Sequence, residues 1–295
     1  MGVYDTAMKI VRLGMTESGI LLLTFVYRHC NMDAENKNQI MAPLMKLVNW
    51  LYTTSGYYDK TVSGTKFNFQ QDALNENFNR LVSHFETAVG DCQETQMYFH
   101  DGFIRNLYEK VKDQFQQFYK INTFILLNGT NSIERVPIYY GHMWNKRILV
   151  ISSFAELCQQ QYDSGNVYKL GIDFPPIQGL DGVTTPYCFL NQGPHNNYFE
   201  TLDAIFEEVK QKEFDLAVIG CGVYGHMLTH KIHDEMKKSA IYVGGGITNL
   251  FGVLSTRERT VGMGKEVKLN EYWITHIPES YRPTNYKEIE DGCYW

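Results

Sequence analysis

The sequence predicts an α/β protein, with a Rossmann-like parallel sheet and flanking helices in its C-terminal half and a mainly helical N-terminal half. Strand-like and helix-like segments alternate after residue 146. Residues 214–219 are apolar on both faces, as expected for a central strand of a parallel sheet. A glycine-rich turn follows that strand directly and leads into a helix-like segment. These three observations together predict the fold class.

The N-terminal segment, residues 1–145, has mostly helical periodicity. Apolar residues recur at spacings of three and four in residues 39–52, 72–89 and 103–119. The short apolar run 123–127 is compatible with either a strand or a buried turn. Turn-forming residues and Pro137 fall within residues 129–145, so a domain boundary is expected there. The chain has 295 residues, and hydrophobic cores tend to split beyond about 250, so two domains are expected, 1–145 and 146–295.

The C-terminal segment contains the βα alternation. The β-branched run 147–152 predicts a strand, and residues 154–162 have the composition of a helix. After a turn-rich stretch, residues 198–212 predict an amphipathic helix that precedes the buried strand 214–219. A helix from about residue 224 to 237 and a strand at 240–243 complete the series. This order predicts a parallel sheet covered by helices on both faces.

Composition excludes several classes of function. Apolar residues make up 44% of the chain and the formal net charge is −6, which argues against a broad electrostatic contact with nucleic acid. The six cysteines are scattered, a pattern typical of reduced thiols in a cytosol-like compartment. The early apolar run 20–26 is far shorter than the roughly 20 residues needed to span a bilayer. We therefore expect a cytoplasmic protein with no membrane span and no nucleic-acid partner, and a homo-oligomer is left open.

The strongest local signal is the sequence GCGVYG at residues 220–225. Glycines in a strand-to-helix turn let the backbone approach a phosphate, and the helix dipole favours an anion there. The alternative is a tight turn with no ligand. A dinucleotide site would also place an acidic residue about 20 positions later, but the next strand ends at Val243 before three glycines. The pattern therefore disfavours an NAD-dependent oxidoreductase.

A second glycine segment, residues 244–246, follows the predicted strand next to the first one. Two glycine-rich loops would then open side by side at one sheet edge, which suits a diphosphate and its sugar. Within the intervening helix, His226, His230 and His233 share one face. Such histidines either bind zinc, given further ligands, or form a partly buried polar face, which is the favoured interpretation. His226 lies just inside the glycine turn and is a candidate for ligand contact.

The N-terminal segment holds Arg12, Gly14 and Glu17 just before an apolar helix. A carboxylate in the first turn of a helix interacts favourably with the helix dipole, which requires no chemistry. Alternatively, Glu17 is a catalytic base or a metal ligand, and Arg12 binds phosphate. The residues alone leave both interpretations open. At the other end, the aromatic residues Tyr294 and Trp295 predict a docked tail.

Four segments of this chain resemble glycosyltransferase-like proteins of bacterial and viral polysaccharide gene clusters, which are related to glycosyltransferases with the GT-D fold. They are residues 12–17 (RLGMTE), residues 146–154 together with 161–162, residues 220–225 (GCGVYG) and residues 292–295 (GCYW). Residues 244–245, 250–252 and 270–273 add support. The resemblance is specific after residue 146 and weaker before it.

The resemblance implies a nucleotide-sugar donor and a carbohydrate acceptor. The N-terminal motif is similar to an Arg-Tyr-Gly-Asp-Gly-Glu type sequence, in which an Asp-x-Glu triplet is associated with metal and donor. Here Met15 stands at the aspartate position and Glu17 is retained. Mn²⁺ or Mg²⁺ at Glu17 is thus an expectation, although a single carboxylate rarely holds these ions without help from phosphate. The arginine-rich segment of the family is represented loosely by Arg257 and Arg259.

The sequence therefore predicts a glycosyltransferase that transfers a sugar from a nucleotide-sugar donor to a carbohydrate acceptor in polysaccharide or glycan synthesis. A non-catalytic nucleotide- or glycan-binding module is the alternative, and an NAD-dependent oxidoreductase is disfavoured. The predicted catalytic residues are Arg12 and Glu17, and Glu17 is also the predicted metal ligand. The predicted donor-binding residues are Gly14, Gly220, Cys221, Gly222, Tyr224, Gly225, His226, Gly244, Gly245 and Gly246.

Overall fold

A computed structural model describes residues 7–60, 76–99, 101–127, 136–257 and 268–295. The strands in this part of the chain are β1 (Lys9–Leu13), β2 (Glu94–Met97), β3 (Phe124–Leu126), β4 (Arg147–Ser152), β5 (Gly179–Thr184), β6 (Leu216–Gly220) and β7 (Ser239–Tyr242). The helices are α1 (Met15–His29), α2 (Ala34–Thr53), α3 (Glu76–Val89), α4 (Gly102–Phe118), α5 (Val136–Met143), α6 (Ala155–Asp163), α7 (Tyr198–Lys210) and α8 (Gly225–Met236).

The described strands form one seven-stranded sheet in the order β3-β2-β1-β7-β6-β4-β5, and every pair is parallel. Helices flank this sheet, so the predicted α/β class is confirmed. The apolar run 123–127 contains β3. The predicted helix 72–89 is present as α3, although residues 72–75 lie outside the described part. Of the expected boundary 129–145, residues 136–143 form α5 and residues 129–135 are not described.

Two hydrophobic cores lie on opposite faces of the sheet. Successive residues of β4 alternate between them: Leu149 and Ile151 pack in the first core, and Ile148 and Val150 in the second. The first core lies under α1, α2, α3, α4, α7 and α8, and the second under α5, α6 and the 3₁₀ segment Gly245–Phe251. Burial on both faces explains why the central strands are apolar throughout.

Three strands are absent from the sequence-based prediction. β2 has the sequence ETQM, and its buried Thr95 and Gln96 break any hydrophobic pattern. β1 begins with Lys9, which is fully buried but charged. β5 contains two glycines and Asp181, and it is only half-buried because it lies at the edge of the sheet. Edge strands and polar buried strands give weak hydrophobic periodicity.

The sheet joins strands from both predicted segments. β1, from residues 1–145, pairs with β7 through Lys9 and Ala240 and through Ile10 and Ile241. The division at residue 145 therefore falls between strands of one sheet, and it stays a prediction.

The carboxyl ends of all seven strands lie at one edge of the sheet because the strands are parallel. β1, β7, β6 and β4 are consecutive neighbours, so the loops after Leu13, Tyr242, Gly220 and Ser152 emerge side by side. From β4 the chain continues to β5, which lies on the side of β4 away from β6. From β6 it continues to β7, which lies on the side of β6 away from β4, so the direction of strand addition reverses between β4 and β6. Such a switch point, at the carboxyl ends of parallel strands, is where open α/β sheets bind ligands.

Candidate active site at the carboxyl edge of the sheet

Arg12 connects the N-terminal motif to the second glycine segment. It lies on β1, and its Nη1 donates a hydrogen bond of 2.7 Å to the carbonyl oxygen of Val243, just after β7. The next residue, Gly244, has a left-handed φ of +79°, and a Cβ atom there would lie only 2.6 Å from Nη1. Only glycine therefore allows the guanidinium to approach this turn so closely.

Glu17 lies in the first turn of α1, as expected, and its carboxyl group folds back over the start of the helix. Its Oε2 is 2.6 Å from the position that a Cβ atom of Gly14 would occupy. Burial raises the pKa of Glu17, although part of the side chain remains accessible. A hydrogen bond from its own backbone N–H and the charge of Arg12 lower the pKa, and the charge of Glu290 raises it. A carboxyl group with a raised pKa is suited to proton transfer near neutral pH.

The three glycines of the turn at 220–225 have different structural roles. A Cβ atom at Gly220 would lie 2.4 Å from Cγ2 of Ile247. A Cβ atom at Gly225 would lie 2.3 Å from the ring of Tyr242. Gly222 instead has a left-handed φ of +59°, and no atom lies within 4 Å of the position that a Cβ atom would occupy there. Close packing thus explains two of the glycines, and Gly222 alone among the three opens onto free space.

The two glycine segments do lie side by side. A Cβ atom at Gly220 would be 2.5 Å from the carbonyl oxygen of Gly244, and the hydroxyl of Tyr242 donates a 2.8 Å hydrogen bond to the carbonyl oxygen of Gly222. Gly245 is exposed and Gly246 is buried. Gly222 and Gly245 are consequently the glycines whose backbone is most open to a ligand.

Three predicted donor-binding residues direct their side chains into the first core. Cys221 is buried, and the ring of Tyr224 stacks on Tyr198 with centroids 4.8 Å apart. His226 is 1% exposed and lies 4.9 Å from the ring of Phe85. Burial lowers the pKa of His226 to about 3. The side chains of these three residues therefore do not line the carboxyl edge, and only their backbone remains near it.

The histidines of α8 are engaged with protein groups. His230 Nδ1 lies 2.6 Å from Oδ2 of Asp234, and His233 Nε2 lies 3.1 Å from the carbonyl oxygen of Ala7. Within the described ranges, no group of three or more His, Cys, Asp or Glu side chains could hold a metal ion. The polar-face interpretation therefore accounts for His230 and His233, whereas His226 packs in the first core.

The C-terminal segment brings further charged and aromatic groups to the same edge. Cε1 of Tyr294 lies 3.9 Å from the Cβ position of Gly245, and the guanidinium carbon of Arg257 lies 4.7 Å from the centre of the Tyr294 ring. Arg257 forms an ion pair with Glu290, which also accepts a 3.2 Å hydrogen bond from the Tyr294 hydroxyl. Trp295 is 3% exposed, so the expected docking of this tail is confirmed.

Glu290 is a charged residue of this edge that the sequence motifs do not indicate. It has a left-handed φ of +46°, and Asp291 and Gly292 continue that conformation. Non-glycine residues in this region cost free energy and occur at functional sites more often than elsewhere. Only Gly292, just before the aromatic end, gives a local signal for the turn, and no local signal places Glu290 near Glu17.

The residues around Glu17 do not fit a site for Mn²⁺ or Mg²⁺. These ions require several oxygen ligands, usually including one or two carboxylates. The side chain of Met15 has no oxygen atom and is 45% exposed. Arg12 is close enough to interact electrostatically with Glu17, and Glu290 is already paired with Arg257. Arg259, which the resemblance also indicated, lies outside the described residues.

Comparison with known proteins gives a match for one segment of the chain. A family model described as a GT-D fold-like domain matches residues 192–250. This segment includes α7, β6, the first glycine turn, α8, β7 and the second glycine segment. The match supports a relationship to the GT-D fold family. No curated protein and no solved structure matches the chain.

The helices of the described residues do not include a membrane span. None of them is both long enough and apolar enough to cross a bilayer.

Proposed function

We propose that this protein is a glycosyltransferase, which transfers a sugar from a nucleotide-sugar donor to a carbohydrate acceptor in polysaccharide or glycan synthesis. The contact of Arg12 with Val243 and Gly244 carries the proposal. It brings the Arg-x-Gly-x-x-Glu motif to the edge formed by the segment that matches a GT-D fold-like domain. Two parts of the chain that are distant in sequence thereby form one candidate site.

The donor phosphates would lie over the two glycine segments. The open backbone at Gly222 and the exposed Gly245 allow close approach of an anion, which a side chain would obstruct. The guanidinium of Arg12 supplies charge-assisted hydrogen bonds to phosphate oxygens. Both features suit the phosphates of a nucleotide sugar.

Glu17 acts as the general base in this proposal. Its carboxylate takes the proton from an acceptor hydroxyl as that oxygen forms a bond to the anomeric carbon of the sugar. The bond between this carbon and the donor phosphate breaks, and the nucleotide leaves with the bonding electrons. Arg12 stabilises the negative charge that develops on the leaving phosphate. The raised pKa of Glu17 supports the role, because proton transfer is most efficient near the working pH.

The decisive variant is Glu17→Gln. We expect it to lower kcat about 10²- to 10⁴-fold while nucleotide-sugar binding remains, because only the base is lost. Transfer would be measured as nucleotide release with UDP-, GDP-, dTDP- and CMP-sugars and an oligosaccharide panel. Binding would be measured by the rise in melting temperature that a ligand of the native state produces.

The matched control is Glu35→Gln, which removes an exposed first-turn carboxylate from α2. It should transfer sugar at the wild-type rate. Unchanged kcat in Glu17→Gln would remove Glu17 from the mechanism. Failure of every sugar nucleotide to stabilise the wild-type protein would contradict the glycosyltransferase proposal itself.

One observation favours a second candidate, a non-catalytic nucleotide- or glycan-binding module. Met15 stands where the resembling family has an aspartate, a change that suits loss of chemistry. Donor binding without transfer, identical in wild type and Glu17→Gln, would support this candidate. The NAD-dependent alternative receives no support, because β7 leads into Val243 and Gly244 without a carboxylate for a ribose.

We also propose a cytoplasmic location. All six cysteines are free, and Cys92, Cys158, Cys188 and Cys221 are buried. Unpaired buried thiols are typical of proteins in reducing compartments.

A further inference from the structure

Arg12 is a fixed positive charge within the candidate site. Its Nη1 is held by the Val243 carbonyl oxygen, and the left-handed Gly244 leaves room for the guanidinium. An arginine side chain stays charged throughout the physiological pH range and matches phosphate geometry. A permanent cation thus lies between the ends of β1 and β7, where the donor phosphates are proposed to bind.

The same guanidinium makes the neighbourhood of Glu17 unfavourable for a divalent cation. Arg12 interacts electrostatically with Glu17, so a metal ion bound to that carboxylate would be repelled by a charge already present. The Glu17 carboxyl group also lies against the backbone of Gly14, with its Oε2 2.6 Å from the position that a Cβ atom of Gly14 would occupy. Met15, two positions earlier, has a thioether rather than an oxygen ligand.

A second guanidinium, that of Arg257, lies near the same glycine segment but is separated from it by the Tyr294 ring. The guanidinium of Arg257 packs over the ring of Tyr294, and this ring lies close to Gly245 in the structure. About one third of the Arg257 side chain is exposed. Glu290 holds this guanidinium in place. Arg12 therefore contacts Gly244 directly, and Arg257 lies beyond the Tyr294 ring that packs near Gly245, where its charge is already paired with Glu290.

We infer that this site binds the phosphates of its donor without a divalent cation, and that the Arg12 guanidinium supplies the positive charge. The inference rests on the proposed function and adds the chemistry of donor recognition. It departs from the metal dependence that the family resemblance implies. Arg12 then both orients the phosphates in the bound donor and stabilises the leaving group during transfer.

The first experiment measures nucleotide affinity with and without metal. Wild-type protein is titrated calorimetrically with UDP, GDP, dTDP and CMP, once in EDTA and once in excess Mn²⁺. We expect the Kd of the nucleotide that binds to agree within about twofold between the two conditions. Binding that strengthens tenfold or more with Mn²⁺ would overturn the inference and leave the glycosyltransferase proposal standing. Absence of binding in both conditions would remove the proposed function, and the inference with it.

The second experiment adds a carboxylate to the site. Met15→Asp recreates an Asp-x-Glu pair at the first position of α1, where a negative charge is favourable to the helix dipole. Met15→Asn is the matched control, because it has the same shape without the charge. Mn²⁺ should strengthen nucleotide binding in Met15→Asp and leave wild type and Met15→Asn unchanged. An equal gain in all three proteins would overturn the inference.

The third experiment tests Arg12 in EDTA. Arg12→Gln should weaken nucleotide binding about 10- to 100-fold, as expected for loss of a charge-assisted hydrogen bond, and Arg12→Lys should weaken it less. Melting temperatures without ligand show whether each variant is folded. Arg12→Lys provides the comparison if Arg12→Gln does not fold. Wild-type affinity in a folded variant would show that Arg12 does not supply the charge.

Discussion

At the scale of single residues, the glycine turn at 220–225 contains both a closely packed glycine and one that is open to solvent. Gly220 allows the backbone of β6 to contact the Gly244 carbonyl oxygen and the side chain of Ile247. Gly222, two residues later, has no neighbour in its side-chain direction. The three glycines of this pattern are therefore required for different reasons. Close packing requires two of them, and only Gly222 faces the proposed ligand.

The glycine roles predict different stabilities for two alanine variants. Gly220→Ala should lower the free energy of unfolding by about 3 kcal/mol or more, since the new methyl group meets backbone and side-chain atoms that cannot move apart easily. Gly222→Ala should cost only about 1–2 kcal/mol, the strain of a left-handed residue. Urea denaturation of both variants gives the comparison. Equal losses, or a larger loss for Gly222→Ala, would contradict the assigned roles.

At the scale of elements, α8 starts at the glycine turn and is positioned by its packing. Its His226 packs against Phe85 of α3 in the first core, while Gly225 packs against Tyr242 of β7. Contacts on two sides thus determine where the helix begins. The proposed binding edge depends on this helix even though the side chain of His226 does not reach it.

The buried His226 predicts a pH dependence of stability. Burial, with a smaller contribution from His84, lowers its pKa from 6.5 to about 3, so the unfolded chain takes up a proton that the folded protein excludes. The contribution of the neutral His226 to the free energy of unfolding is present above pH 6.5 and is lost progressively as the pH falls towards 3. Between pH 7 and 5 we expect His226 alone to account for about 2 kcal/mol of lost stability.

The measurement is urea denaturation at pH 7 and pH 5 for wild type and His226→Phe. The variant should lose about 2 kcal/mol less between the two pH values, because the protonation difference has been removed. His276→Gln, which replaces an exposed histidine, is the control and should behave as wild type. The same pH dependence in wild type and His226→Phe would show that the buried ring is not responsible.

At the scale of the whole molecule, one sheet connects the N-terminal and C-terminal segments. β1 pairs with β2 on one side and with β7 on the other, and the first core combines residues from both segments. Separating the segments would expose this core and break the β1–β7 pairing. The candidate site lies across the same junction, because Arg12 and Gly244 come from opposite sides of it.

We therefore expect the two segments to unfold in one cooperative transition. Trp50 reports on α2 in the N-terminal segment, and Trp273 reports on the second core in the C-terminal segment. Proteins retaining one or the other tryptophan can be followed by fluorescence, with far-ultraviolet circular dichroism as a probe of both. Coincident urea transitions would confirm a single unit. Two separate midpoints would instead support independent domains divided near residue 145.

The sequence by itself determined the α/β class, the central strands β4, β6 and β7, and the position of the first glycine turn. Each gives a local signal, either an apolar run of strand length or glycines between a strand and a helix. It also placed Glu17 in the first turn of α1. These features depend on residues that are close together in the chain.

The tertiary structure decided which of the candidate residues meet. Arg12 contacts the Val243 carbonyl oxygen across 231 positions, and Glu290 reaches the neighbourhood of Glu17 through a left-handed turn. It also decided that His226 packs in the core. Such outcomes depend on strand order and on the packing of distant segments, which local hydrophobic periodicity does not encode. Helices and strands could therefore be predicted from short stretches of sequence. Which residues form the site depends instead on the order of the strands in the sheet, because that order decides which distant segments become neighbours.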